Sequence, residues 1–111
     1  MNKEALVDWV KGRGDTPILI DANCTGQDYR QIELQGGQFH RVNFSGCDFT
    51  LGKIAECQFI ECVFDQAVFE HCQIVMSNFI NCALQRLQGE QVVVSYVNCQ
   101  ECSFNESSLI K

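Results

Sequence analysis

The 111-residue chain has one proline, two histidines and only eight Lys plus Arg. A single proline beside eight glycines excludes a linker or low-complexity chain. The eight cations face 14 Asp plus Glu, for a formal charge of −6. That balance argues against a nucleic-acid backbone or an anionic membrane as the direct partner, because both call for cationic surface. No apolar run reaches the roughly 18 residues of a membrane-spanning helix. The N-terminal stretch MNKEALVDWVKGRGD mixes acids and bases around no long apolar centre, so it does not read as a secretory signal. With an apolar share of 46%, one globular domain is expected.

Two residue types are abundant: eight Cys and eight Phe. So much Cys first suggests a disulfide-rich secreted domain, but the spacing points elsewhere. Phe39, Phe44, Phe49, Phe59, Phe64, Phe69, Phe79 and Phe104 all fall in one register of five. Random placement would do this roughly once in 78,000 trials, which makes an internal repeat the reading of choice. The same register holds Leu19, Cys24, Tyr29, Leu34, Ile54, Ile74, Leu84, Val94, Cys99 and Leu109, with Gly89 as the exception. Two residues earlier runs a register of mostly small residues, such as Ala22, Gly37, Cys47, Gly52, Ala67 and Ser77. The other three registers are largely polar. A period of five fits neither the 3.6 of a helix nor the two of a plain strand. Two inward positions per five residues, with a corner after each short strand, make a square tube.

Units such as CDFTL, CQFIE, AVFEH and SNFIN give the chain its resemblance to the pentapeptide-repeat family. The resemblance implies an all-β fold, a right-handed quadrilateral parallel β-helix with four units per coil. The expected division is 1–16, an N-terminal capping helix and linker, and 17–111, a β-helix of about 19 units in four to five coils. Coils are expected at 17–36, 37–56, 57–76 and 77–96, with a partial fifth over 97–111. Residues n and n+20 then share a wall, and each coil stacks about 4.8 Å above the last.

A helix over residues 2–12, with Leu6, Trp9 and Val10 on one side, is expected to cover the first coil and its exposed strand edges. No matching cap is visible at the other end. The sequence stops in mid-coil at Ser107, Ser108, Leu109, Ile110 and Lys111, so either a second chain meets it there or it belongs to a longer protein. At Gly89 the large central residue is missing while Leu87 fills the usually small position, which reads as local compensation of volume, with a functional bulge as the alternative.

All eight Cys lie in the two inward registers and are expected to be reduced, buried filler, with Cys62, Cys82 and Cys102 stacked in a ladder. Cys99 and Cys102 form the only CxxC, too little for zinc without a second pair or added His. His40 and His71 fall on different walls. No Ser–His–Asp set, HExxH or glycine-rich phosphate loop appears, and a convex tube filled by Phe offers no pocket. The chain is therefore read as a non-enzyme, with no catalytic residue, no cofactor and no metal.

Function is expected in the walls. Asp28, Asp48, Glu70 and Glu90 form a candidate acidic strip interrupted by Arg30. Ile60 and Ile80 on one wall, with Val75, Met76, Val93 and Tyr96 on the next, form a candidate apolar interface. The first reading is a protein–protein interaction module or scaffold with a protein partner of unknown identity. A homodimer through the uncapped C-terminal coil or the apolar wall is open to it. The alternative is nucleic-acid mimicry: the resembled family includes quinolone-resistance members that bind DNA gyrase as acidic rods imitating DNA. Against it, duplex DNA as long as the expected tube would carry roughly 13–14 charges. Direct nucleic-acid and membrane binding are not expected, and a bacterial, cytoplasmic setting follows from the resemblance.

Overall fold

A computed structural model describes residues 1–12 and 17–103, and the backbone of 108–110. Helix α1 (Lys3–Gly12) precedes strands β1 (Ile18–Ile20), β2 (Glu33–Gln35), β3 (Gln38–His40), β4 (Lys53–Ala55), β5 (Gln58–Ile60), β6 (Gln73–Val75), β7 (Asn78–Ile80), β8 (Gln88–Glu90), β9 (Val93–Ser95), β10 (Asn98–Gln100) and β11 (Ser108–Ile110).

Pairing is parallel, and every register is twenty residues: Phe39 lies over Leu19, Phe59 over Phe39, and Ile74 over Ile54. The first wall is the sheet β1-β3-β5-β7-β10, and the fourth is β2-β4-β6-β9. The second wall is a column of single bridges through Asn23, Asn43, Val63, Ala83 and Ser103. The third carries Asp28, Asp48 and Val68 up to β8, which pairs with β11. The fold is thus the quadrilateral parallel β-helix that the resemblance implies.

Each coil hands its backbone groups to its neighbours. Phe44 N–H donates to Val63 C=O at 2.7 Å, while Val63 N–H donates to Val42 C=O at 3.1 Å. The chain turns a corner every five residues. Every fifth residue from Asp21 to Glu101 has a positive φ, between 49 and 80°. At two of the four corners the turn closes on itself, as where Cys47 N–H donates to Phe44 C=O at 3.2 Å and Gly52 N–H to Phe49 C=O at 2.9 Å. Only Gly26, Gly36 and Gly46 meet this left-handed geometry with glycine, and other residues bear a steric cost there. Leu51, at φ 62° and 54% exposed, bears it without burying its side chain. Replacing Leu51 with Gly is expected to raise stability by about 0.5–1 kcal/mol, the relieved strain less the entropy that glycine adds to the unfolded chain; thermal unfolding checks it.

The bore is filled by ring ladders. Phe39, Phe59 and Phe79 stack at 5.0 and 4.9 Å between centroids, Phe44 and Phe64 at 5.0 Å, and Phe49 and Phe69 at 5.0 Å. Adjacent ladders meet edge to face, as Phe59 meets Phe64 at 5.1 Å and 79°. Such pairs add about 0.5–1.5 kcal/mol beyond area burial. Phe104 lies outside the described residues.

The helix covers the lower end. Asn2 caps it, its Oδ1 accepting from Ala5 N–H at 2.9 Å. Leu6 and Val10 are buried against the first coil. Gly37 makes room for the Phe39 ring, which a Cβ there would approach to 2.9 Å, while Val10 Cγ2 at 3.6 Å would be in ordinary contact. Tyr29 O–H donates to Met1 C=O, and Lys3 Nζ to Arg30 C=O at 3.0 Å.

At the other end the packing loosens. Val94 is 38% exposed and Cys99 is exposed as well. An apolar hollow of about 150 Å³ opens there between Phe69, Phe79, Leu84, Leu87 and Val94, where the sequence had led us to expect no pocket. Above Phe69 the third-wall ladder carries Gly89 instead of a ring, so the stack narrows. Gly89 itself sits in regular strand, β8, and Leu87 is buried, as volume compensation requires; no bulge interrupts the register.

Candidate functional site

Strand alternation sends two side-chain columns outward from the first wall, two residues apart. One is Ile18, Gln38, Gln58, Asn78 and Asn98; the other is Ile20, His40, Ile60, Ile80 and Gln100. None of these is Asp, Glu, Lys or Arg, although 20% of the chain is charged. Charge returns at the corner beyond Ile20, where Arg41 Nε donates to Asp21 Oδ1 at 2.7 Å. The opposite corner carries Glu56, then Met76 and Tyr96, the last 88% exposed. The wall therefore has an uncharged centre bounded by charged corners and by Tyr96, and depletion of charge is one mark of the centre of a protein interface.

The structure divides the expected apolar cluster. Ile60 and Ile80 are half-buried neighbours in register. Val75, Met76 and Tyr96 gather at the corner between the fourth and first walls, with the Gln58–Asn78 column between the two groups. Val93 lies in register with Gln73, at the far side of the fourth wall. Sequence reasoning missed the neutrality of the first wall and the part played by Gln38, Gln58, Asn78 and Asn98. Sorting outward residues by twenty rather than by five would have found it.

The acidic strip lies on the third wall but runs as a diagonal. Asp28 and Asp48 share one column, and Glu70 and Glu90 continue in the other, above Arg30 and Thr50. Arg30 Nη2 donates to Asp28 Oδ2 at 2.8 Å. Asp48 Oδ1 accepts from Thr50 N–H at 3.0 Å. Asp48, Glu70 and Glu90 thus carry the outward negative charge. The Arg30 guanidinium lowers the Asp28 carboxyl from its ordinary 3.8 to about 2. A carboxyl held low in the folded state stabilises the fold above its unfolded value, and that contribution fades as pH falls from 3.8 toward 2. Acid titration of Asp28→Asn is expected to show a shallower loss of stability across that window than the wild type shows.

Six of the eight cysteines are buried; Cys102 is half-buried and Cys99 is exposed, because β10 is the last strand of its sheet. The expected ladder is present: Cys62, Cys82 and Cys102 thiols donate to Phe39, Phe59 and Phe79 C=O at 3.2, 3.2 and 3.3 Å. Burial pushes the Cys72 thiol up to about 12 and the Cys47 thiol up to about 11, which keeps both protonated and slow to react. Alkylation of the native protein is expected to mark Cys99 first and Cys102 more slowly, with all eight thiols reacting only after unfolding without reductant. Fewer than eight would reveal a disulfide.

His40 sits on the first wall and His71 at a corner beyond the third. Among the described residues no three His, Cys, Asp or Glu side chains gather as a metal site, and no helix is long and apolar enough to cross a membrane. The expected contact at the uncapped end falls on residues 107–111, of which only the backbone of 108–110 is described.

A family model described as pentapeptide repeats, in eight copies, matches residues 18–51. Pentapeptide repeat protein MfpA of Mycobacterium tuberculosis is 31% identical over an alignment of 83 positions, covering 66% of this chain and 45% of MfpA. The chain thus spans under half the length of that relative. Among solved structures, the pentapeptide repeat protein Rfr23 of the cyanobacterium Cyanothece 51142 superposes with a TM-score of 0.69 at 14% identity, covering 80% of this chain and 65% of that one. A trypsin-treated variant of QnrB1, a plasmid-mediated fluoroquinolone resistance protein, does so with a TM-score of 0.60 at 14% identity, covering 77% and 49%.

Proposed function

Because the chain belongs to the pentapeptide-repeat family, we propose that it acts without catalysis, as a protein-interaction module that docks a protein partner on its first wall. One observation carries this: the outward residues of a five-stranded sheet include no formal charge. Burying them against a partner leaves no ion unpaired, whereas an interface over the third wall would have to match Asp48, Glu70 and Glu90. Ile60 and Ile80 supply the apolar centre, and Met76 and Tyr96 the edge. Capture from an extract of the native host, followed by mass spectrometry, tests it. Ile60→Asp/Ile80→Asp is expected to lose the partner while keeping wild-type circular dichroism. Retention of the same partner would sink the reading.

A second reading has its own support. The diagonal of Asp48, Glu70 and Glu90 and the net charge of −6 suit an acidic mimic of DNA that binds a topoisomerase such as DNA gyrase. The fold likeness to a fluoroquinolone resistance protein points the same way. The charge is less than half that of a duplex of similar length, which ranks this reading second. A supercoiling assay decides it: inhibition of gyrase that disappears in Glu70→Gln/Glu90→Gln supports mimicry, and no effect on gyrase eliminates it.

A further inference from the structure

The corner between the first and second walls repeats one pair of inward side chains up the tube. On the third coil the pair is Phe59 with Cys62, and on the fourth it is Phe79 with Cys82; all four are buried. On the fifth coil a thiol stands where the ring would be, so the same corner carries Cys99 with Cys102. The change falls where cover ends: Cys99 is exposed and Cys102 half-buried, whereas the other six cysteines are buried. The Cys99 and Cys102 thiols are in hydrogen-bond contact with each other. Inward directions from two adjacent walls converge across a corner. The four-residue turn, with Glu101 at φ 53°, brings its ends within about 7 Å, and a disulfide spans about 4.4–6.8 Å between Cα atoms.

We propose that Cys99 and Cys102 are a site of thiol–disulfide exchange: a low-molecular-weight disulfide oxidises them to an intramolecular bridge across the corner, and a low-molecular-weight thiol reopens it. The bridge is independent of where a protein partner docks. Cys99, the accessible thiol, acts first. Its thiolate attacks one sulfur of the small disulfide, whose S–S bond breaks, and the departing thiolate takes up a proton. Cys102, as thiolate, then attacks the Cys99 sulfur of the mixed disulfide and expels the second small thiolate, which is protonated in turn. Two protein thiols thus lose two electrons and two protons, and the small disulfide gains them as two thiols. Other cysteines are poorly placed to resolve the intermediate. Phe79 lies directly below Cys99, and Cys82 is 3% exposed, its thiol donating to Phe59 C=O at 3.2 Å. Burial pushes the Cys99 thiol up to about 11. Only a small thiolate fraction therefore attacks, and the bridge forms over minutes to hours.

The reduced full chain, freed of reductant and incubated with excess oxidised glutathione, tests the proposal. Acid quenching, unfolding, alkylation and mass spectrometry read the result. The wild type is expected to keep six of its eight thiols, to lose about 2 Da as two hydrogens depart, and to give a peptide map in which Cys99 is joined to Cys102. Dithiothreitol is expected to restore all eight. Cys102→Ser is expected to stop at the mixed disulfide and hold glutathione on Cys99. Cys99→Ser is expected to react at least about 10-fold more slowly, since only the half-buried thiol remains at the corner. Eight free thiols in the treated wild type overturn the proposal. So does a glutathione adduct that never resolves, or a bridge to any other cysteine, including one between two chains. Circular dichroism checks the fold of both variants; should either unfold, the wild-type peptide map decides alone.

Discussion

Phe64→Ala is expected to lower the unfolding free energy by about 3–5 kcal/mol, the range for emptying a buried phenylalanine site. Phe64 is fully buried and sits where the ladders meet. It stacks on Phe44 at 5.0 Å and touches Phe49, Phe59, Phe69 and Phe79 at 6.2, 5.1, 6.0 and 5.7 Å between centroids. In a quasi-one-dimensional stack each coil is stabilised by its neighbours alone, so a void at the third coil weakens the coupling between lower and upper halves. Such a loss is a large share of the 5–15 kcal/mol typical of a domain. Phe64→Leu, which refills most of the volume, is expected to lose about 1–2 kcal/mol. Denaturant unfolding of both variants checks the order. Equal, small effects would mean that the rings do not bear on one another.

Gly89→Phe is the second large effect, and its sign opposes the sequence pattern. Restoring a phenylalanine to the one empty central position would, from the repeat alone, complete a ladder and stabilise the fold. The structure reverses that expectation. A Cβ at Gly89 would lie 2.9 Å from Val92 Cγ2 and 3.0 Å from the Phe69 carbonyl oxygen. The second of these is backbone and cannot swing aside. Leu87 already occupies the interior below the corner. Overpacking of this kind typically costs about 1–3 kcal/mol, and because even the first side-chain carbon collides, Gly89→Ala is expected to share much of the loss. A rise in melting temperature for Gly89→Phe would show that the coil relaxes around the ring.

The period of five disclosed nearly all of the fold, because each unit repeats the same physical problem: one large residue on the axis and one small residue beside the corner. The phenylalanine ladders followed from it, the twenty-residue register came with the family resemblance, and the capping face of α1 came from its own helical spacing of Leu6 and Val10. The corner conformation did not, since only three glycines mark a left-handed register that Leu51, His71, Met76 and Tyr96 occupy as well. The exposure of Cys99 was hidden too: its register says inward, but inward is buried only where a further coil lies above. For the candidate site, single residues were legible and their grouping was not. Ile60, Ile80, Met76 and Tyr96 stood out as apolar, yet the Gln58–Asn78 column between them is visible only once walls are assembled. The acidic residues were placed on the correct wall, but the ion pair that removes Asp28 from the strip depends on side-chain geometry.

Side-chain footprinting of the protein, alone and with its captured partner bound, locates the contact most directly. Hydroxyl radicals report on Ile60, Ile80, Met76 and Tyr96, and carbodiimide coupling reports on Asp48, Glu70 and Glu90. Docking on the uncharged wall predicts that the first group is protected and the second is unchanged. Protection of Asp48, Glu70 and Glu90, with Ile60 and Tyr96 as reactive as in the free chain, would contradict it.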